Sequence, residues 1–124
     1  MAFSKTEKYQ VEPGLTENSI KVLEKRYLKK GVDGNLLETP KDMLIRVASN
    51  VAKAETKFGN TEKKEEIEEQ FYKMMAELDF LPNSPTLMNA GNEIQQLSAC
   101  FVLPVGDSME SIFDAIKYTA IIHK

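Results

Sequence analysis

Cys100 is the only thiol in the chain, and it sits in "LSACFVLPVGDS", residues 97–108. Cysteine is among the most buried residue types and is usually inert when packed, so a chemical role needs support from its neighbours. Ser98 is two residues away and would share a face with Cys100 if the segment is a strand. Just upstream, "NSPTLMNAG" (83–91) is rich in hydroxyls and amides: Ser84 and Thr86 flank Pro85, between Asn83 and Asn89. Hydroxyls and N–H groups can hold a phosphate where no basic cluster is supplied. They can equally satisfy their own backbone in a turn, and on residue chemistry alone the turn is the better account.

Other chemistries find little footing. One cysteine and one histidine, 23 positions apart, do not supply a four-ligand metal set. No glycine-rich phosphate loop of either common spacing occurs. A Cys100/His123 nucleophile pair is conceivable, but no third group orients it and His123 lies next to the last residue. The net charge of −3 argues against nucleic-acid binding. A lone cysteine cannot form an internal disulfide, and no apolar run reaches the roughly 18 residues of a membrane span. With 42% apolar and 28% charged residues, the expected class is a soluble cytoplasmic domain.

The elements that must position these residues are mostly helical. Residues 1–14 are polar, end in Pro13-Gly14, and are expected to form a flexible arm. "LTENSIKVLEKRYLKKG" repeats Ile20, Leu23 and Tyr27 at helical spacing, with Gly31 as a left-handed stop. "KKGVDGNLLET" predicts a hairpin turning at Asp33-Gly34. Thr39, Pro40 and Asp42 then open a helix with a stripe of Met43, Leu44, Val47, Val51 and Ala54, stopping near Phe58-Gly59-Asn60. Thr61 is placed to cap a third helix carrying Ile67, Phe71, Met74, Met75 and Leu78, with a solvated face of alternating charge.

Residues 80–96 have two prolines, three asparagines and no helical period, and read as a packed loop. In 97–105, Leu97, Ala99, Phe101, Leu103 and Val105 alternate with Ser98, Cys100, Val102 and Pro104. That is a strand pattern, with Cys100 opposite Phe101. Asp107 or Ser108 can cap a last helix over 108–123, with Glu110 as a capping-box partner. This helix is apolar on nearly all sides, which implies burial in something larger and a chain that is a fragment.

"LPNSPTLMNAG" (81–91), "LSACFVLPVGDS" (97–108) and "IFDAIKYTAIIHK" (112–124), taken in that order, resemble the front of the catalytic chain of ribonucleotide reductases. The resemblance is strongest to the adenosylcobalamin-dependent class II type. "RYLKKGVDGNLLETPKDMLIRVASNVAKAE" (26–55) is similar to the helical lead-in of these enzymes, so the likeness runs from Arg26 to Lys124. It implies a mainly α fold: a helical region over 15–92, with about four helices in the chain and a short hairpin. A catalytic barrel of ten strands would begin at 93–124, with strand 97–105 as its first.

By the same resemblance, Cys100 is one half of the redox pair that reduces the ribose, and Ser84 binds the substrate phosphate. Ala99 stands where several relatives have serine, so only its backbone could contact the ribose, and Ser98 is a neighbour of the site. Adenosylcobalamin, a thioredoxin-like reductant, the remainder of the chain and a homodimeric assembly are implied for the full enzyme. The cobalamin contacts, the radical cysteine and the second redox cysteine match no residue here. The fragment is expected to be inactive alone, with strand 97–105 open at its edges. The rival readings are a non-enzymatic helical interaction module with a packing cysteine and a reductase of another class.

Overall fold

Thr39 starts the central helix of the fold. In the computed structural model, which describes residues 8–124, α1 spans Glu17–Arg26 and α2 spans Pro40–Ala52. The Thr39 hydroxyl accepts the Asp42 N–H at 3.2 Å while Asp42 accepts the Thr39 N–H at 2.9 Å, a reciprocal capping box with Pro40 in the first turn. α2 buries Met43, Leu44, Val47, Ala48 and Ala52. The apolar stripe is therefore rotated from the expected one: Val51 lies toward solvent, and small Ala48 and Ala52 take the inner positions.

A one-turn helix α3 (Ala54–Lys57) follows, and Gly59 closes it at a φ of 81°. The next helix, α4 (Lys64–Ala76), packs along α2 and buries Tyr72, Met75 and Ala76, with Glu68 among them. Both helices bury alanines, Ala48 and Ala52 on α2 and Ala76 on α4. Thr61 does not cap α4: it begins a 3₁₀ turn over Thr61–Lys63 that makes no side-chain cap bond. Of the expected α4 stripe, Met75 is buried, Ile67, Phe71 and Met74 are half-buried, and Leu78 is exposed.

Residues 1–7 of the expected arm lie outside the described residues, and residues 8–14 are strapped down rather than loose. Gly14 N–H donates to the Ala76 carbonyl at 3.1 Å, satisfying an orphan acceptor at the end of α4. Tyr72 donates to the Val11 carbonyl at 2.5 Å, and the Tyr9 ring stands edge-on to Tyr72 with centroids 4.9 Å apart. Tyr9 also donates to Glu68, which Lys8 approaches to 3.6 Å. This tyrosine clasp supplies the buried carboxylate with partners, as burial requires.

α1 ends at Arg26 with the Tyr27 and Leu28 N–H groups both on the Leu23 carbonyl, so Gly31 is not its left-handed stop. The expected hairpin is a tight turn with a single bridge, Lys30 to Leu36, around Gly34 at φ 80°. Residues 80–96 are not simply a loop, because α5 (Ser84–Asn89) forms there and buries Leu87, with Ala90 buried just past its end. No strand ladder occurs among the described residues, and 97–105 runs without regular structure. A strand exists only where a neighbour supplies N–H and C=O partners, and none lies alongside. α6 (Met109–His123) is capped by Ser108, which accepts from Ser111 N–H at 3.1 Å rather than forming the expected box with Glu110. Nothing on α6 is buried, and Phe113, Ile116 and Ile121 are each more than half exposed. No helix among the described residues is long and apolar enough to cross a membrane.

Candidate functional site

α5 is the element that organises the site. Asn83 accepts the Thr86 N–H at 3.1 Å and Pro85 lies in the first turn, so the residues that read as a turn are a helix start. At the other end, Arg46 of α2 donates to the Ala90 carbonyl at 2.6 Å and to the Leu87 carbonyl at 3.1 Å. These are carbonyls that the end of the helix leaves without intrahelical partners. Arg46 is itself held by Glu38 through two bonds of 2.7 and 2.9 Å, with side chains only 11% and 8% exposed. Glu38 also accepts the Lys29 N–H at 2.9 Å, so one buried ion pair ties the 29–38 turn, α2 and α5 together.

The outer side of α5 grips the segment that leads to Cys100. Asn83 Nδ2 and Thr86 Oγ1 both donate to the Leu97 carbonyl, at 3.2 and 3.1 Å, and Asn89 Nδ2 donates to the Gln96 carbonyl at 2.8 Å. Leu97 packs against the core. Three polar side chains on one short helix thus fix two consecutive carbonyls, and Ser98, Ala99 and Cys100 follow directly.

The result is an open groove of about 710 Å³ lined by Ser84, Ser98, Ala99 and Cys100, together with Asn89, Thr119 and His123. All four residues singled out from sequence line the same groove. Cys100 is exposed and unpaired. Phe101 lines the groove too, so the expected alternation of Cys100 and Phe101 on opposite faces is not realised without a ladder to enforce the pleat. Ser84 Oγ lies 2.9 Å from the hydroxyl of Tyr27, just past α1. The lining contains no lysine or arginine, so its donors to an anion are hydroxyls and amides, with His123 the only residue that can become cationic.

Sequence reasoning missed Tyr27 and Arg46 as parts of this arrangement. Asn83 before Ser84-Pro85 was a usable signal for α5, since it is a cap followed by a proline at the helix start. No local signal could have paired Arg46 with carbonyls 41 and 44 positions away.

Comparison with known proteins agrees with this architecture. A family profile described as the ribonucleotide reductase all-alpha domain matches residues 13–95. A vitamin B12-dependent ribonucleoside-diphosphate reductase of Thermoplasma acidophilum is 39% identical over 164 aligned positions, covering 89% of this chain and 21% of that protein. The enzyme of the same name from Mycobacterium tuberculosis is 37% identical, over 86% of this chain and 15% of its own length. A ribonucleoside-diphosphate reductase large subunit of Danio rerio is 38% identical, over 84% of this chain and 12% of its own. The chain therefore spans about a fifth or less of these relatives. A mainly helical fold, the profile match over most of the chain and similarity to three reductases establish that it belongs to the ribonucleotide reductase family, whose all-alpha domain it carries.

Proposed function

We propose that this chain is the amino-terminal portion of a reductase that converts ribonucleoside diphosphates to deoxyribonucleotides, with Cys100 as one of its two redox thiols. The observation that carries the reading is the convergence of Ser84 with Ser98–Cys100 on one groove, although 14 to 16 positions separate them in sequence. In this reading the Ser84 hydroxyl donates to a substrate phosphate. The Ala99 backbone and Ser98 flank the ribose, and Cys100 faces it.

The chemistry balances with two thiols. They lose two electrons and two protons and become a disulfide, while the ribose 2′-hydroxyl leaves as water and a C2′–H bond forms. This chain holds one cysteine, so the second sulfur comes from the remainder of the enzyme, as does the radical-bearing thiol. A thioredoxin-like dithiol then restores both by thiol–disulfide exchange. Holding Cys100 next to the α5 clamp limits its distance from the reacting carbon, which is where orientation contributes to rate.

Adenosylcobalamin is the proposed radical source of the intact enzyme, on the strength of the Thermoplasma and Mycobacterium relatives. The residues that contact that group are proposed to lie in the remainder of the enzyme. No step is therefore assigned through cobalamin on this chain. The apolar outer surface of α6 supports burial against the remainder of the catalytic chain, itself proposed to act in the cytoplasm as a homodimer.

The test uses the intact reductase chain. Cys100→Ser abolishes multiple turnover with a dithiol reductant, whereas the fold, followed by circular dichroism, is retained. Full turnover in that variant rejects the redox role.

A further inference from the structure

A second groove, of about 490 Å³, is lined by residues from the end of α1, the turn after it and the end of α5, and its charge is opposite to what the acidic chain would suggest. Arg26, Lys29 and Lys30 line it, with Glu93 as the single carboxylate, so its local balance is +2 where the whole chain carries −3. None of the three cations belongs to an ion pair among the described residues, which is also true of most of the other described lysines. Lys30 donates only to the Lys25 carbonyl, at 3.0 Å. Three unpaired cations lining one concavity repel one another and are stabilised by a bound anion.

The uncharged part of the lining narrows the ligand. Leu37 and Met88 offer exposed apolar surface, and the Asn89 and Asn92 side chains bring amides. The two grooves share only Met88 and Asn89, and the second contains neither Cys100 nor Ser84. A carboxylate with one charge would leave the site under-neutralised. A phosphate group with two or more charges matches it.

We propose that this groove is a binding site for a small phosphorylated anion, either a free polyphosphate or a nucleotide, separate from the groove of Cys100. Arg26 supplies a planar fork for two phosphate oxygens, and Lys29 and Lys30 act as point charges. A nucleoside attached to the phosphate would lie over Leu37 and Met88.

The site is tested on the intact reductase chain by titration calorimetry, with inorganic tripolyphosphate and a nucleoside triphosphate as separate probes. Saturable binding that weakens as salt is raised is expected for both. It falls roughly tenfold or more in the R26Q/K29Q/K30Q triple variant, because three partly exposed charge contacts are lost together. Tighter binding of the nucleotide assigns a role to the apolar floor, and equal binding assigns the site to phosphate alone. The three replaced side chains are on the surface, and an unchanged thermal melt shows that the variant is folded. Tripolyphosphate binding that is absent, or that survives the triple replacement undiminished, overturns the proposal. A failure of the Cys100 assignment would leave these outcomes untouched.

Discussion

Arg46→Ala should be strongly destabilising, and its cost can be worked from the geometry. The side chain donates four hydrogen bonds, two to Glu38 and one each to the Leu87 and Ala90 carbonyls. Its removal leaves the Glu38 carboxylate 8% exposed with no cation opposite it. Breaking one side of a buried ion pair typically costs about 3–5 kcal/mol. The pair is not wholly sealed, so the lower figure applies, which is still a large share of the roughly 5–15 kcal/mol that holds a domain folded. In urea unfolding of the 124-residue chain followed by far-ultraviolet dichroism, about 3 kcal/mol corresponds to a midpoint lowered by roughly 1–3 M. Arg46→Met combined with Glu38→Leu should recover most of the loss, because no orphaned charge remains. Arg46→Lys should recover little, since an ammonium cannot fork between Glu38 and two carbonyls. Hydrogen exchange at the α5 amides should quicken in parallel with the unfolding result. A wild-type midpoint in Arg46→Ala, or a double variant no better than the single, would refute the reasoning.

Three further outcomes follow from other parts of the structure. Burial, and then the bond to Glu68, raise the Tyr9 phenol above its ordinary pKa. The folded state therefore holds this proton more tightly than the unfolded chain does, and the associated stability is present below the ordinary tyrosine pKa and lost as pH rises beyond it. Tyr9→Phe should cost about 1.5 kcal/mol near neutrality, since the bond is to a charged group, and should flatten the alkaline decline; an unaltered urea–pH profile would count against the clasp. Gly91→Ala, at φ 76° with the new carbon 3.0 Å from Arg46 Cγ, should lose about 1–2 kcal/mol, more than Gly34→Ala, which shares the backbone strain but has open space. Equal losses at the two positions would remove the steric part of that account. Tyr27→Phe, which deletes the partner of the Ser84 hydroxyl, should raise the nucleotide KM of the intact enzyme a few-fold at constant kcat; a fall in kcat alone would contradict a role in substrate holding.

What was legible in the sequence follows the range of the forces involved. The helix start at Thr39, Pro40 and Asp42, the turn at Gly34 and the stop at Gly59 depend on groups within a few positions of each other, so composition and spacing announce them. The mainly helical character could be read for the same reason. Cys100 and Ser84 could be singled out by residue type and by resemblance, and the fold sets both on the lining of one groove.

The remainder was decided by contacts between distant parts of the chain. Whether residues 8–14 are loose or strapped depends on Tyr72 and Glu68, about 60 positions away, and not on their own polarity. The face that α2 buries, with Ala48 and Ala52 inward and Val51 outward, was set by its packing along α4, which a count of large apolar residues cannot foresee. Residues 97–105 carry an alternating pattern, but a pattern only proposes a face; without a neighbouring backbone to bond, it does not become a strand. The amino-acid order thus determined where helices begin and turn, because those choices are made within one turn of backbone. Tertiary structure alone decided which polar groups meet: Arg46 with the end of α5, Tyr27 with Ser84, and the α5 amides with the carbonyls before Cys100. Each of those meetings requires chain folded back on itself, and no local rule encodes that.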